Sequence, residues 1–425
     1  WLFSAKRKYR LPPGPTALPL IGNLPQLQKD QPFKSFLKFS EIYGPVMTLY
    51  LGWQRTVVLV GYDAVKEALV DQADDFTGRG PLPFLMKATK GFGLGISNGE
   101  RWRQLRRFTL TTLRDFGMGR KGMEEWIQEE SKHMTAEINE LEGKPFDPTV
   151  LLSRTVSNVI CCIVFGQRFS YDDKNFLHLL DIISEVLRFN SGFLGQMYNI
   201  FPWIIEHLPG PQHKMFRNIE EVRAFIKMKI QGAQRHTGPK LPKRLYRLFP
   251  HPNGSEKMQQ EIDTVIGQDR CPKMEDRKSL PFTDAVIHEV QRFLDIVPFS
   301  LPHFALQDIS FRGYAIPKGT VIIPLLHSVL KEEKQWASPL SFNPQHFLDQ
   351  NGNFKKNPAF LPFAAGKRAC VGEALARMEL FIFLVTLLRR FTFSHAEGPD
   401  GINLIPEYSG FANVPRRYQI IATPR

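Results

Sequence analysis

The chain has 425 residues, of which 43% are hydrophobic and 12% aromatic, and this composition predicts a soluble, folded body of enzyme size. Its formal net charge of +13 suits an acidic partner, an anionic membrane surface or nucleic acid, without choosing among them. The four cysteines, Cys161, Cys162, Cys271 and Cys370, include no Cys-x-x-Cys pair, which excludes that kind of zinc or dithiol site and fits a reducing compartment.

The N-terminal segment combines a basic run with a proline-rich stretch. AKRKYR (5–10) follows WLF and precedes LPPGP (11–15). Two interpretations stay open, a basic surface tail and the cytosolic edge of a removed membrane anchor. The prolines restrict φ and predict a stiff, extended strut. No apolar run reaches the roughly 18 to 20 residues of a membrane span, so we expect the chain as given not to cross a bilayer.

Helices dominate the rest of the chain. VMTLYLG (46–52) and TVVLVG (56–61) predict a β-hairpin, and a strand-and-loop stretch is expected at 298–326. Hydrophobic periodicity predicts helices in the following segments, with a further long helix after Cys370: 63–73, 99–115, 119–141, 148–165, 173–189, 215–231, 256–267 and 282–294. With no internal repeat and no evident linker, the chain is predicted to be one mainly α domain with a small β region.

The segment FAAGKRACVG (363–372) places one cysteine between two glycines and two cations. Gly366 permits a backbone turn, and Gly372 leaves space for something large and flat to approach the backbone. The helix predicted after Cys370 would put its sulfur at a helix N-terminus, which favours a thiolate. A lone cysteine before a helix is more often a packing residue. The inference therefore depends on the whole pattern Phe-x-x-Gly-x-Arg-x-Cys-x-Gly.

This segment resembles the haem-ligand loop of the cytochrome P450 monooxygenases. The resemblance implies a cytochrome P450 fold and the cofactor haem b (iron protoporphyrin IX), with Cys370 as its catalytic axial thiolate and iron ligand. Along nearly its whole length the chain resembles the vertebrate microsomal family 2 enzymes in particular. The resemblance further implies that residues 1–20 are a basic, proline-rich segment after an anchor, that 21–425 form one catalytic domain, and that the protein lies on the cytosolic face of the endoplasmic reticulum membrane.

The segment HEVQR contains Glu289 and Arg292, which lie three residues apart and can pair on one helix face. On its own such a pair is usually a surface salt bridge of small energetic value. The resemblance implies instead a structural lock to a third residue in FNPQHF (342–347). That residue is His346 here, where the family more generally has arginine.

Further haem contacts follow from the resemblance alone. Candidate cofactor-binding residues for the propionates or the ring are Arg79, Trp102, Arg106, His303, Phe363, Gly366, Arg368 and Gly372. Each has a simpler interpretation: Trp102 and Arg106 could only pack and solvate a helix, and His303 could be a structural histidine. The basic neighbours Arg101, Arg103 and Arg107 could form the docking surface of the electron donor.

The implied activity is insertion of one oxygen atom from O₂ into an apolar organic substrate, a fatty acid or a xenobiotic, with electrons from NADPH. The implied partners are NADPH–cytochrome P450 reductase, cytochrome b5 as a second electron donor, the substrate and a membrane surface, with no nucleic acid. The substrate pocket would draw on the 81–94 loop, on 297–301 and on Phe411, which are mostly apolar.

One family motif is missing from the sequence. The central distal helix of the family carries [AG]-G-x-[DE]-T, and the nearest match, Asp263-Thr264, has Gln260 and Glu261 in place of the small residue and the glycine. The segment 232–255 is rich in prolines, which do not continue a helix. We therefore expect this oxygen-activating helix to be deleted. The alternative function is an impaired or inactive variant that binds membrane or reductase without efficient oxygen activation.

A hydrolase is a second alternative, since GISNG supplies the Gly-x-Ser-x-Gly of a nucleophile elbow with Gly95, Ser97 and Gly99. That elbow requires a buried strand directly before it. The preceding KGFGLG is glycine-rich, and no Asp-then-His order stands out downstream. The sequence therefore favours the haem protein.

Overall fold

The computed structural model describes residues 10–29, 31–117, 121–233, 252–396 and 405–425. The expected fold class, mainly α with a small β region, is confirmed. The described helices, in chain order, are α1 (Pro32–Tyr43), α2 (Tyr62–Lys66), α3 (Pro83–Thr89), α4 (Gly99–Asp115), α5 (Lys121–Glu140), α6 (Pro148–Phe165), α7 (Lys174–Ser191), α8 (Phe193–Ile200), α9 (Pro202–Ile205), α10 (Pro211–Ala233), α11 (Pro252–Val265), α12 (Pro281–Leu294), α13 (Leu326–Leu330) and α14 (Glu373–Arg390).

The β region consists of short strands. They are β1 (Val46–Leu51), β2 (Gln54–Leu59), β3 (His303–Phe304), β4 (Ile309–Phe311), β5 (Tyr314–Ile316), β6 (Val321–Pro324), β7 (Phe391–His395), β8 (Tyr408–Ser409), β9 (Asn413–Val414) and β10 (Ile420–Pro424). The predicted hairpin forms, with β1 antiparallel to β2. β6 joins β2 in parallel and β3 completes the sheet, in the order β1-β2-β6-β3. Strands that are far apart in sequence thus share one sheet.

The longest predicted helices coincide with observed ones, but α1 (Pro32–Tyr43), which spans about three turns, was not predicted. The other differences lie in short elements. The predicted helix 63–73 is α2 followed by a π-helical turn at Glu67–Asp71. The short helices α3, α8 and α9 were not predicted because they span too few turns to show a periodic pattern. The segment 234–251, on which much of the expectation of a deleted helix depends, lies outside the described residues.

The core is organised around α14. Its apolar run from 380 to 388 is buried together with residues of α5, α6, α11 and α12. By length and composition α6 could also cross a membrane, but 56% of it is buried inside the fold, as is usual for a core helix. The helix that begins beside Cys370 is therefore held by packing along most of its length, which gives the cysteine loop a rigid base.

The described part of the proline-rich segment packs on the β region. The amide of Thr48 donates to the carbonyl of Pro13 at 2.8 Å, and the amide of Ala315 donates to the carbonyl of Arg10 at 3.0 Å. A Cβ on Gly14 would lie 1.8 Å from the Thr48 carbonyl oxygen, so the two backbones touch. Residues 10–14 are thus attached to the domain by backbone hydrogen bonds.

Candidate functional site

Cys370 is half-buried in the loop that leads into α14. Its amide donates to the carbonyl of Phe363 at 3.0 Å, which closes the loop. The amide of Gly372 donates to the Cys370 Sγ at 3.3 Å. Because α14 begins at Glu373, its unpaired N–H groups and macrodipole also lie on the sulfur's side of the helix. The backbone therefore directs N–H groups towards this sulfur.

Gly366 is required by a close approach of two backbones. Its φ is +70°, in the left-handed region, and a Cβ there would lie 1.6 Å from the carbonyl oxygen of Leu69. Leu69 belongs to the π-helical turn, so this turn and the cysteine loop touch backbone to backbone. Gly372 differs, with φ −95° at the N-cap of α14. Its conformation alone does not demand glycine.

Arg368 joins the cysteine loop to the segment 77–98. The buried guanidinium donates from Nε to the Thr77 carbonyl at 2.8 Å and from Nη2 to the Ser97 carbonyl at 2.7 Å. Its carbon Cζ lies 3.8 Å from the centre of the Trp102 ring, a cation–π distance. The Trp102 ring is buried, and Arg106 lies on it from one helical turn further on, at 6.0 Å. The structure thus brings these three predicted residues together.

Arg79 and His303 are paired across the sheet edge by an isolated β-bridge, and both side chains are buried. Arg79 Nη1 donates to the carbonyls of Leu301 and Pro302, and His303 Nδ1 donates to the carbonyl of Phe76. Arg79 Nε and His303 Nε2 are buried without a partner in the part of the chain that the structure describes. Buried polar atoms are normally hydrogen-bonded, so these two require an explanation.

The electrostatics of this cluster are those of a site for an anion. Burial, with repulsion from Arg368 and Arg106, lowers the pKa of Arg79 to about 9, and burial with repulsion from Arg106 lowers that of Arg368 to about 10. Burial and the charge of Arg79 hold the pKa of His303 well below its ordinary value. None of the described ion pairs joins a carboxylate to Arg79, Arg106 or Arg368. Their charge is left for a bound group to neutralise.

Glu289 and Arg292 form the predicted pair inside the core. Both side chains are 0% exposed, and two N–H groups of Arg292 donate to the two Glu289 oxygens at 2.7 Å each. His346 Nδ1 lies 3.2 Å from Glu289 Oε2, while its Nε2 accepts from the Ser338 amide at 3.2 Å. His346 therefore carries its proton on Nδ1 and donates it to Glu289. The structure brings Glu289, Arg292 and His346 together.

The segment considered for a hydrolase lies in turns. Ser97 is buried, and its Oγ donates to the carbonyl of Gly93 at 2.6 Å. Residues 90–98 contain no strand. A nucleophile elbow needs a strand before the serine and an exposed hydroxyl, so this geometry does not support a hydrolase.

The family model for cytochrome P450 matches residues 12–245 and 237–422. The chain belongs to the cytochrome P450 family. It is similar to cytochrome P450 2F3 of Capra hircus, at 44% identity over 99% of this chain and 96% of the relative. It is also 44% identical to cytochrome P450 2G1 of Oryctolagus cuniculus, over 98% of this chain and 94% of the relative. Cytochrome P450 2A13 of Homo sapiens is 44% identical over 99% of this chain and 94% of the relative.

Cytochrome P450 proteins are haem monooxygenases that bind haem b, take electrons from redox partners and act on apolar substrates in general. The residues of this chain fit that cofactor. Arg79 has a buried N–H without an acceptor, which the carboxylate of a haem propionate would supply. A carboxylate beside His303 would also favour protonation of its unpaired Nε2, which would then donate. The arginines of the cluster, which have no carboxylate partner among the described ion pairs, would neutralise the propionates of haem b.

Some residues of the cluster were not singled out from the sequence. Asn98, the residue before α4, accepts from the Arg79 amide at 2.7 Å and donates to the Arg79 carbonyl at 2.8 Å. Its Oδ1 also lies 3.3 Å from Nη2 of Arg368. The only sequence signal is an asparagine at a helix N-cap, which usually has a purely local role. Asn98 therefore positions both Arg79 and Arg368.

Proposed function

We propose that this chain is a haem-thiolate monooxygenase that inserts one oxygen atom from O₂ into an apolar substrate, with electrons passed from NADPH by the reductase. The observation that carries the proposal is the hydrogen bond from the Gly372 amide to the Cys370 sulfur at the start of α14. Bound haem would supply the redox and dioxygen chemistry. Cys370 would hold the iron, and Arg79, Arg106, Arg368, Trp102 and His303 would hold the propionates.

The substrate is proposed to be an apolar organic molecule, a fatty acid or a xenobiotic. Three segments would form its pocket, and the structure gives contacts of residues that directly adjoin these segments. A Cβ on Gly95, just after the 81–94 loop, would lie 3.7 Å from the Leu301 side chain. The amide of Asn413, close to Phe411, donates to the carbonyl of Ile296 at 2.9 Å. These contacts support a pocket built from 81–94, 297–301 and Phe411.

The electron donor is proposed to dock on α4. Arg101, Arg103 and Arg107 are exposed on this helix, while Trp102 is buried and Arg106 is half-buried. The same helix would therefore contact the haem cluster on one face and present cations on another. An acidic surface of NADPH–cytochrome P450 reductase, or of cytochrome b5, would be steered to these cations.

A membrane surface is the remaining proposed partner, at the endoplasmic reticulum. Trp53 and Trp203 are 48% and 57% exposed and stack with ring centres 5.7 Å apart. The nearby loop exposes 78% of Leu20. Exposed tryptophans of this kind suit the interface of a bilayer. The basic residues 6–8, on which the anchor hypothesis largely depends, lie outside the described residues.

Replacement of Trp53 and Trp203 by alanine tests this surface. We expect weaker co-sedimentation with phosphatidylcholine–phosphatidylserine vesicles, while Trp126→Ala, at an exposed tryptophan on α5, serves as the matched control. Equal loss of binding in both variants would contradict the proposed surface.

We further propose that the missing distal motif lowers the efficiency of oxygen activation. Two observations support a shortened middle segment. The family model matches in two parts that overlap over 237–245. The alignment with the Capra hircus relative runs over 469 residues, whereas this chain has 425. Most of the residues concerned lie outside the described ranges.

The carbon monoxide spectrum of the reduced protein tests the haem-thiolate function. We expect purified chain reconstituted with haem to show the red-shifted Soret band of a thiolate-ligated iron. A folded protein that takes up no haem, or takes it up with an unshifted band, would contradict the proposed function and favour a variant that only binds membrane or reductase.

A further inference from the structure

A cavity of about 240 Å³ lies beside the segments that follow α12 and β8. It is lined by the start of α6, one face of α7, the end of α12 and residues 412–417. None of the residues that we assign to haem lines it. The cavity is therefore a separate feature of the fold from the site at Cys370.

One wall of the cavity is apolar. Leu177, Leu180 and Leu187 line it from α7, where spacings of three and seven residues place them on one helix face. Ile296 and Val414 line it from the opposite elements. This wall provides a surface for hydrocarbon rather than for a polar ligand.

The remaining lining is strongly basic. Arg154, Arg188, Arg416 and Arg417 line the cavity from α6, α7 and the segment after β9. Arg188 lies 3.4 Å from Glu407, so its charge is partly neutralised. Arg416 and Arg417 are exposed and have no ion pair among the described residues.

Two acids also line the cavity, and they do not cancel this charge. Asp147 is the N-cap of α6, where its Oδ1 accepts the amide of Thr149 at 2.9 Å. Asp181 is exposed on α7. These two acids line the cavity with four arginines. The lining therefore keeps an excess of positive charge, and an anionic ligand is favoured over a cationic one.

Arg154 provides the most specific indication of a ligand. Its Nε is buried and has no hydrogen-bond partner within the described chain. Its nearest carboxylate, that of Glu137, lies 3.9 Å from Nη1, beyond hydrogen-bond distance. A buried donor without an acceptor costs free energy, which a ligand oxygen in the cavity would recover.

We propose that this cavity binds an amphipathic carboxylate, with its hydrocarbon chain against the α7 leucines and its carboxylate on Arg154 and Arg416. The volume is slightly below the roughly 300 Å³ at which pockets for drug-sized ligands begin, so the ligand is a short-chain or medium-chain acid. Asn413 joins the lining to Ile296 by a backbone hydrogen bond. Occupancy would therefore stiffen segments next to the proposed substrate pocket.

Calorimetric titration with decanoate tests the site, with decanol as the uncharged comparison. We expect Arg154→Gln and Arg416→Gln each to weaken decanoate binding by about tenfold, the usual effect of losing a charge-assisted hydrogen bond. The exposed Arg217→Gln is the matched control and should leave the affinity unchanged. Leu180→Trp, which fills the cavity, should abolish binding.

The Soret band is recorded during the same titration to locate the ligand. Binding that weakens in both arginine variants without a spectral shift supports the cavity. Unchanged affinity in Arg416→Gln, an exposed position where folding is not at risk, overturns the proposal. So does a spectral shift that follows the binding curve, because the acid then lies beside haem. The calorimetric measurement does not require haem. Failure of the proposed haem function would appear in the carbon monoxide spectrum, independently of decanoate binding.

Discussion

Glu289 and Arg292 form a doubly hydrogen-bonded ion pair that is completely removed from solvent, three residues apart on α12. Arg292 also donates to the carbonyls of Leu330, Pro339 and Ser341 at 2.8 to 2.9 Å. The pair therefore ties α12 to the end of α13 and to the loop 331–341, which has little regular structure. Because both charges are buried, each depends on the other for its solvation.

The first prediction is that Arg292→Ala destabilises the protein strongly. Removal of one partner leaves the carboxylate of Glu289 buried and unpaired, at a cost of about 3 to 5 kcal/mol in the free energy of unfolding. Urea denaturation measures the change. The matched control is Arg103→Ala on the exposed pair with Glu100, 3.4 Å apart, where we expect a change of about 0.5 kcal/mol or less. Similar losses of unfolding free energy in both variants would show that the buried pair stabilises the protein no more than the exposed pair does.

The second prediction concerns acid stability. Burial acts to raise the pKa of Glu289, but hydrogen bonds from Arg292 and His346 bring it below its ordinary value of 4.5. Because the folded pKa is the lower one, the stabilisation is complete above about pH 4.5 and is lost as the pH falls towards the folded pKa. We expect the urea concentration at the unfolding midpoint to decrease as the pH is lowered below 4.5. This decrease should be less steep in Glu289→Gln. Parallel curves for the two proteins would contradict this assignment.

The third prediction separates Cys370 from the other cysteines. Cys370→Ala should abolish the thiolate–haem spectrum, because the Gly372 amide and the start of α14 lie beside this sulfur. Cys271→Ala, at a half-buried cysteine in another loop, should leave the spectrum unchanged. The carbon monoxide difference spectrum compares them, and identical behaviour of the two variants would mean that Cys370 is not the ligand.

The fourth prediction concerns Gly366. In Gly366→Ala the new Cβ would meet the Leu69 carbonyl oxygen, so the backbone of the loop must shift. Gly313 has φ +75°, and a Cβ there would meet nothing within 4 Å, so Gly313→Ala isolates the cost of the left-handed conformation, about 1 kcal/mol. We expect Gly366→Ala to cost about 1 to 3 kcal/mol more and to reduce haem retention. Equal unfolding free energies in the two variants would refute the backbone contact.

The fifth prediction concerns the use of electrons. Proton delivery by a positioned group typically contributes about 10² to 10⁴-fold, and this sequence lacks the acid and threonine that provide it in the family. With reductase and NADPH we expect little product and much released hydrogen peroxide per NADPH consumed. A chain with a relative's helix grafted between Gln231 and Glu256 should recover product formation. Equal coupling in both chains would show that other residues supply the protons.

Elements with local signals were predictable from the amino-acid sequence. Long helices such as α4 and α6 were predicted with their observed bounds, because an apolar face repeats over several turns. The β1–β2 hairpin followed from two β-rich runs and a short turn. The loop around Cys370 was found for the same reason, since its glycines, cation and cysteine lie within ten residues.

Which distant residues share a site became evident from the packing of the fold. Arg79 meets His303, and Gly366 meets Leu69, across more than half of the chain. Asn98 holds Arg79 and Arg368 through hydrogen bonds that no spacing in the sequence indicates. Such contacts arise when helices and strands pack to bury apolar surface. This packing brings together polar groups that are far apart in the chain. Local patterns report the conformation of a segment, whereas the charge and shape of a site depend on how the segments meet.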